Sequence, residues 1–366
     1  MKVAFILNKV TYTSIPLEMA DKISEKEDVT VISLYDSNED GCKIANEVAP
    51  RCKFAACNGR KNLIKGLIRL KKEIIAESYD IIHTHQTLSG AIARHIARNL
   101  KNTRIVHTVH AHHDSFSVGQ NLIIGLTLKY ADCIVTNSRT TLEGLKSWQK
   151  LLIHNVQTKV IYNGVNVYEI RNADIDKSNE IFEKHHIDQN EYIFGLVGRF
   201  VKVKNHANVL IAFERFLNEV KDDRVYRLLL IGDGPERRNI ENIIDNSDLL
   251  KKNVVLTGMI DRQSVYSILH KIDTFVMASF HEGFCNALME ARVAGAQVII
   301  SKIDIFTELY ENENRITFDP HNIDEIKSCM LEAINKDKND LFSDVIEKRY
   351  DLSTTINQYL DLYHTV

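Results

Sequence analysis

The chain has 366 residues, 44% hydrophobic and 26% charged. These proportions exclude a disordered, collagen-like or small disulfide-stapled chain, and the length predicts about two domains. The net charge of −3 is the difference of two unlike halves: residues 1–165 carry 22 Lys+Arg against 15 Asp+Glu, the remainder 24 against 34. Opposite signs predict two domains with different partners.

The opening strand, Val3–Leu7, is too short an apolar stretch for a signal peptide. No run reaches the roughly 20 apolar residues of a membrane-spanning helix. A cytoplasmic protein is expected, and the six scattered cysteines (42, 52, 57, 133, 285, 329), which lack zinc-ligand spacing, are expected to be reduced. Further strands are predicted at Val29–Leu34, Ile81–His85, Ile105–His110, Cys133–Asn137 and Lys159–Tyr162. Helices are predicted at Asn62–Glu77, Ser89–Asn99, Asn121–Tyr130 and Thr140–Lys150. Continuous Val/Ile/Leu strands separated by helices predict a parallel sheet covered on both faces.

After Val165 the rhythm restarts. Polar residues 166–190 read as the connection, and strands follow at Tyr192–Val197, Arg227–Ile231, Asn253–Leu256, Thr274–Ala278 and Gln297–Ser301. The final helix, Leu352–Tyr363, is expected to leave the second sheet. The expected fold class is α/β with two Rossmann-like parallel-sheet domains. The first covers 1–168, completed by helix 351–366, and the second covers 169–350. Ligands of such sheets bind beyond the carboxyl ends of the strands.

Motifs cluster there. Ser279-Phe280-His281-Glu282-Gly283-Phe284-Cys285-Asn286-Ala287-Leu288-Met289-Glu290 follows a strand. Gly283 allows close backbone approach, Asn286 is the expected N-cap, and Glu290 leans back towards the helix start, where it can accept hydrogen bonds from a ribose diol. Gly198-Arg199 with Lys204-Asn205 places two cations beside a helix N-terminus, which suits a diphosphate. Gly232-Asp233-Gly234 and Thr257-Gly258 end the next strands. Full dinucleotide and P-loop signatures are absent, which argues against a nicotinamide or flavin oxidoreductase and a P-loop nucleotidase.

In the first half, His83 and His85 end one strand, and His107, His110, His112 and His113 end the next. Only Asp114 lies near enough to complete a metal site, so one or two histidines are expected to face sugar or phosphate. Residues 60–72 form a basic amphipathic helix. Its stripe of Leu63, Ile64, Leu67 and Ile68 either packs into the core or, with Lys61, Lys65 and Arg69, meets an anionic membrane.

Together these residues resemble the GT4-type retaining glycosyltransferases of GT-B fold. The paired glutamates Glu282 and Glu290 match the family's E-x7-E motif. Gly198-Arg199 with Lys204-Asn205 matches its phosphate-binding loop, Tyr162-Asn163-Gly164-Val165 the turn ending the first domain, Gly232-Asp233-Gly234-Pro235 its counterpart in the second, and Thr108-Val109-His110-Ala111 the strand end that carries the active-site histidine. The first-strand loop, Asn8–Pro16, departs from the family pattern in lacking glycine, and Cys285 stands where proline is common.

The resemblance implies two domains facing across a cleft and a nucleotide-sugar donor on the second, UDP-sugar ahead of GDP-sugar. Arg199 and Lys204 would neutralise the leaving diphosphate, with no metal or other cofactor. Glu282 and His110 would sit beside the reacting sugar. Gly198, Asn205, Gly232, Gly234, Thr257, Gly283, Phe284, Cys285, Asn286 and Glu290 would line the donor site, and His83, His85 and Asn163 the acceptor side. Partners would be the donor and a glycan or lipid-linked acceptor in cell-surface polysaccharide or glycolipid synthesis, with peripheral membrane contact through residues 60–72 and no nucleic acid. Nucleotide-sugar epimerases, sugar phosphorylases and a non-catalytic sugar-nucleotide binder share the architecture.

Overall fold

Thirteen parallel strands form two sheets in a computed structural model that describes residues 1–111, 116–310, 316–336 and 344–366. Unit 1 comprises Met1–Asn163 and Ser353–Val366, and unit 2 comprises Gly164–Leu352. The chain thus changes unit at Asn163–Gly164 and Leu352–Ser353, against the 168–169 and 350–351 expected from the sequence.

Unit 1 runs β1 (Lys2–Leu7), α1 (Ile15–Ile23), β2 (Asp28–Ser33), α2 (Asn38–Val48), β3 (Lys53–Ala56), α3 (Leu63–Ala76), β4 (Ile81–Thr84), α4 (Leu88–Ala97), β5 (Arg104–Val109), α5 (Val118–Leu128), β6 (Cys133–Thr136), α6 (Arg139–Glu143), α7 (Ser147–Leu152) and β7 (Gln157–Val160). The sheet order is β3-β2-β1-β4-β5-β6-β7. Parallel crossovers are right-handed, so α1 and α2, which lead towards one edge, share one face, and α3 to α7, which lead towards the other, share the opposite face. α3 and α5 each pack on α4, and α5 on α7.

The core between the sheet and the second face includes Ile6, Ile82, Ile105, Ile134, Leu70 and Ile74. Two expectations change here. The stretch 140–150 is two short helices separated at Gly144, not one. The stripe of α3 divides between the two readings: the helix buries Gly66, Leu70 and Ile74, Leu67 packs partly buried against the core, and Leu63, Ile64 and Ile68 are exposed.

Unit 2 runs α8 (Val167–Arg171), α9 (Asp176–Lys184), β8 (Tyr192–Val197), a 3-10 turn (Lys202–Lys204), α10 (His206–Glu219), β9 (Tyr226–Ile231), α11 (Arg237–Asp245), α12 (Asp248–Asn253), β10 (Val254–Gly258), α13 (Arg262–Leu269), β11 (Thr274–Met277), α14 (Asn286–Val293), β12 (Gln297–Ser301), α15 (Asp304–Leu309), β13 (Ile316–Phe318), α16 (Ile323–Ala333) and α17 (Asp344–Tyr350). The sheet order is β10-β9-β8-β11-β12-β13. Phe194, Phe213, Phe216 and Tyr226 interlock edge-on and stacked in its core.

The last helix, α18 (Leu352–Thr365), belongs from Ser353 onward to unit 1. In each sheet the order reverses direction beside the first strand, at β1/β4 and at β8/β11. The loops leaving such a pair of strands diverge to opposite faces and open a crevice at their carboxyl ends. No helix among the described residues is long and apolar enough to cross a membrane.

Candidate functional site

At the β8/β11 switch point, three strand-end loops interlock. Gly198 N donates to Ile231 O at 3.0 Å, and Phe280 N to Val203 O at 2.9 Å. Gly232 adopts φ +138°, and a Cβ there would lie 2.1 Å from Gly198 O; one on Gly234 would lie 2.4 Å from Phe200 O. Only glycine lets the loops after β8 and β9 pass this closely.

Lys204 ends the 3-10 turn, and its Nζ donates to Glu282 Oε1 at 2.7 Å. The same oxygen accepts from Ser279 Oγ at 2.6 Å. Both side chains of the ion pair are largely shielded, at 17% and 14% exposure. Burial works to lower the lysine pKa, but the adjacent Glu282 carboxylate outweighs it, so Lys204 titrates above its ordinary value and stays cationic. Arg199, on the same loop, is exposed.

Cys285, not Asn286, caps α14. It takes the left-handed conformation (φ 89°), and Asn286 is the first helical residue, its Nδ2 donating to Gly164 O at 3.4 Å. The side-chain preference for Asn at an N-cap lost to the turn that Glu282-Gly283-Phe284 imposes. The Cys285 thiol is pushed up to about 12 by burial, so it is a neutral packing group rather than a nucleophile. Phe284 packs edge-on against Tyr350.

One turn into α14, Glu290 is 7% exposed and accepts from Arg262 Nη2 at 3.0 Å. Burial raises its pKa, while Arg262 opposes the rise. Thr257 lies at the end of β10, its hydroxyl donating to Gly258 O at 3.0 Å. Asn205 departs from its expected place at the phosphate. Its backbone is left-handed (φ 61°), its Nδ2 donates to Pro320 O at 2.7 Å, and it holds the loop rather than presenting its amide.

In unit 1, the β4 and β5 histidines alternate across the sheet. His83 and His107 point to opposite faces, and both are buried. His83 meets Tyr363 OH at 2.5 Å and Thr108 Oγ1 at 2.7 Å, and Thr108 meets Tyr359 OH at 3.0 Å. With both ring nitrogens engaged by α18 and β5, His83 is a structural residue, which corrects its expected acceptor-side place. His107 Nδ1 meets Thr84 and the fully buried Arg94, whose guanidinium also donates to Thr127 Oγ1 at 2.7 Å.

His85, 0% exposed, meets His110 Nε2 through Nδ1 at 2.8 Å, so it backs His110 instead of facing an acceptor itself. Among the described residues, His85 Nε2 and His110 Nδ1 are buried without a partner. Burial lowers all four histidines, His110 to about 4, so the cluster is neutral. Asn163 is buried at the unit boundary. His112, His113 and Asp114 lie outside the described residues.

Sequence reasoning missed Arg262, Ser279 and Arg94. Ser279 stands three residues before Glu282 in the same turn, a local signal. Arg262 and Arg94 reach their partners only through the tertiary fold.

Two family models match successive parts of the chain: Glycosyltransferase Family 4 over residues 17–169, and Glycosyl transferases group 1 over 177–350. Escherichia coli UDP-Gal:alpha-D-GlcNAc-diphosphoundecaprenol alpha-1,3-galactosyltransferase is 29% identical over 68% of this chain and 65% of its own length. Bacillus anthracis N-acetyl-alpha-D-glucosaminyl L-malate synthase is 24% identical over 64% and 60%. The matched segments thus span less than two thirds of these relatives. HepE of Anabaena, solved with UDP-glucose, superposes with a TM-score of 0.80 at 18% identity over all of both chains, a likeness of fold.

Proposed function

Because the chain belongs to the GT4-like glycosyltransferases, of GT-B fold, we propose that it moves a sugar from a nucleotide-sugar donor held by unit 2 to a glycan or lipid-linked acceptor on unit 1. Transfer proceeds with retention of configuration, in cell-surface polysaccharide or glycolipid synthesis at the cytoplasmic side. A UDP-sugar is the favoured donor. The observation that carries this reading is the Lys204–Glu282–Ser279 cluster at the switch point of unit 2, in the loop that leads into the helix carrying Glu290.

Breaking the sugar–phosphate bond leaves positive charge on the sugar and negative charge on the departing diphosphate. The Lys204 ammonium has three N–H donors and gives one to Glu282; a diphosphate oxygen takes another. Arg199, exposed on the same loop, adds a second cation. Fixed cations aimed at developing charge lower the barrier without reorganisation, so the reaction needs no divalent metal. Glu290, oriented by Arg262, accepts from the ribose hydroxyls. Glu282 faces the transferred sugar from the loop that Gly283 opens. His110, held by His85, contributes a neutral imidazole from unit 1.

The test is a thermal-shift panel of UDP-, GDP- and ADP-sugars, then nucleotide-release assays with chelator present. A UDP-sugar should raise the melting temperature by mass action. Lys204→Ala should cut transfer about 100-fold or more with the fold intact, as for loss of other preorganised charge donors. Glu290→Ala should raise the donor KM. Near-normal activity in both variants overturns the assignment.

A further inference from the structure

The carboxylate of Glu290 is held by a residue from another helix, and both stand on the same rim of unit 2. Arg262 is the first residue of α13, which follows β10, and Glu290 is the fifth of α14, which follows β11; the two helices pack together. Each therefore lies near the carboxyl ends of the strands, where ligands of such sheets bind. The side chains are 27% and 10% exposed. A cation in the first turn of a helix is opposed by the helix dipole, so helix stability does not select an arginine there. The guanidinium is nevertheless fixed twice. Its Nε donates to the hydroxyl of the fully buried Tyr266, one turn on, at 2.5 Å, and its Nη2 to Glu290 Oε1 at 3.0 Å. Fastening alone accounts poorly for this pair, because a buried ion pair is commonly no better for stability than apolar packing. Arg227–Glu191, similarly shielded, is of the fastening kind: it joins residues at the amino ends of β8 and β9.

We propose that Arg262 is a positioning residue that makes the donor site select ribonucleoside diphosphates over their 2′-deoxy counterparts, by holding Glu290 as an oriented acceptor for two adjacent hydroxyls. The inference rests on the donor reading above and adds the class of sugar ring that the donor must carry. An ionised carboxylate offers about four acceptor positions and no donor. Arg262 takes one of them, and the others can receive both hydroxyls of a cis-diol. A protonated carboxyl would set a competing donor in place of an acceptor. Burial drives Glu290 towards that neutral form, and Arg262 opposes it. Without the 2′-hydroxyl, a shielded charged acceptor loses its partner, the kind of mismatch that binding sites reject most strongly. Sugars activated on a 2′-deoxynucleotide are therefore excluded as donors.

Calorimetric titration of the full chain with UDP, 2′-deoxy-UDP, GDP and 2′-deoxy-GDP tests this, in the wild type, Arg262→Met and Arg262→Lys. In the wild type, whichever base is bound, the ribonucleotide should bind roughly tenfold or more tightly than its deoxy form. Arg262→Met should weaken the ribonucleotide by about tenfold and bring the ratio close to one, while the deoxy form changes little. Arg262→Lys, which keeps a cation, should restore part of the preference. With the matching nucleotide-sugar, Arg262→Met should raise the donor KM more than it lowers kcat, since the diol is bound alike in ground and transition states. Melting temperatures are measured for each variant. Should Arg262→Met melt early, Arg262→Gln, which is neutral but polar, carries the same comparison.

An equal loss of ribo- and deoxynucleotide affinity marks a merely structural pair and overturns the proposal. So does a wild type without ribose preference, or a preference that the neutral variant leaves intact. In each of these cases nucleotide binding, and with it the donor reading, still stands. A wild type that binds none of the four nucleotides sinks donor use, and this inference with it.

Discussion

Unit 1 should lose stability in mild acid, and its buried histidines set the size of the loss. His83, His85, His107 and His110 fold as neutral rings with lowered pKa values. In the unfolded chain they titrate near 6.5. Their stabilising contribution is therefore fully present above pH 6.5 and is lost as pH falls towards the folded values, about 4 for His110. At pH 5, each ring that is charged when unfolded and neutral when folded costs at most about 2 kcal/mol, because one pKa unit corresponds to about 1.4 kcal/mol.

One such ring gives a fall of about 2 kcal/mol, which at a urea slope of roughly 2 kcal/mol per molar lowers the midpoint by about 1 M. The single tryptophan, Trp148, lies in α7, where its ring closes over Gly125 of α5, so its fluorescence reports unit 1. Urea unfolding followed by that signal at pH 7.5 and pH 5 measures the effect. An unchanged midpoint would refute neutral burial of the cluster.

Two further substitutions probe the packing. Arg94→Met strands Thr84, His107 and the Thr127 groups in a buried site, and should cost about 2–4 kcal/mol in urea unfolding; a change under about 0.5 kcal/mol would mean the guanidinium holds nothing there. Gly232→Ala drives a methyl to 2.1 Å from Gly198 O. Calorimetric titration should show donor affinity down roughly tenfold or more for a misplacement of this size, whereas Gly119→Ala, with no atom within 4 Å of its Cβ, should leave affinity unchanged.

The sheet strands were legible because parallel strands buried on both faces read as unbroken Val/Ile/Leu runs. β3 and β13, four and three residues long, carry too little pattern to see. The strand-end loops were legible for the same topological reason, but their inner geometry was not. Asn286 looked like a cap, while the left-handed residue is Cys285. In α3, apolar residues occupy two sides of the helix, so periodicity alone does not say which side is inward. Gly66 could have told: a Cβ there would lie 2.4 Å from Gly59 Cα, which marks the side of close approach. His83 could not be assigned locally, since its partners Tyr359 and Tyr363 stand some 280 residues away in sequence.

The α18 contacts have a consequence for the order of events at the ribosome. Residues 353–366 are synthesised after all of unit 2, yet Tyr359 and Tyr363 supply the hydroxyls that engage Thr108 and His83. While unit 2 is emerging, the nascent unit 1 holds those groups at an unsealed surface. Domains otherwise fold as units in the order they are made. Here the unit begun first is the one completed last, and a stop codon anywhere after Leu352 and before Tyr359 would leave unit 2 whole and the histidine layer of unit 1 open.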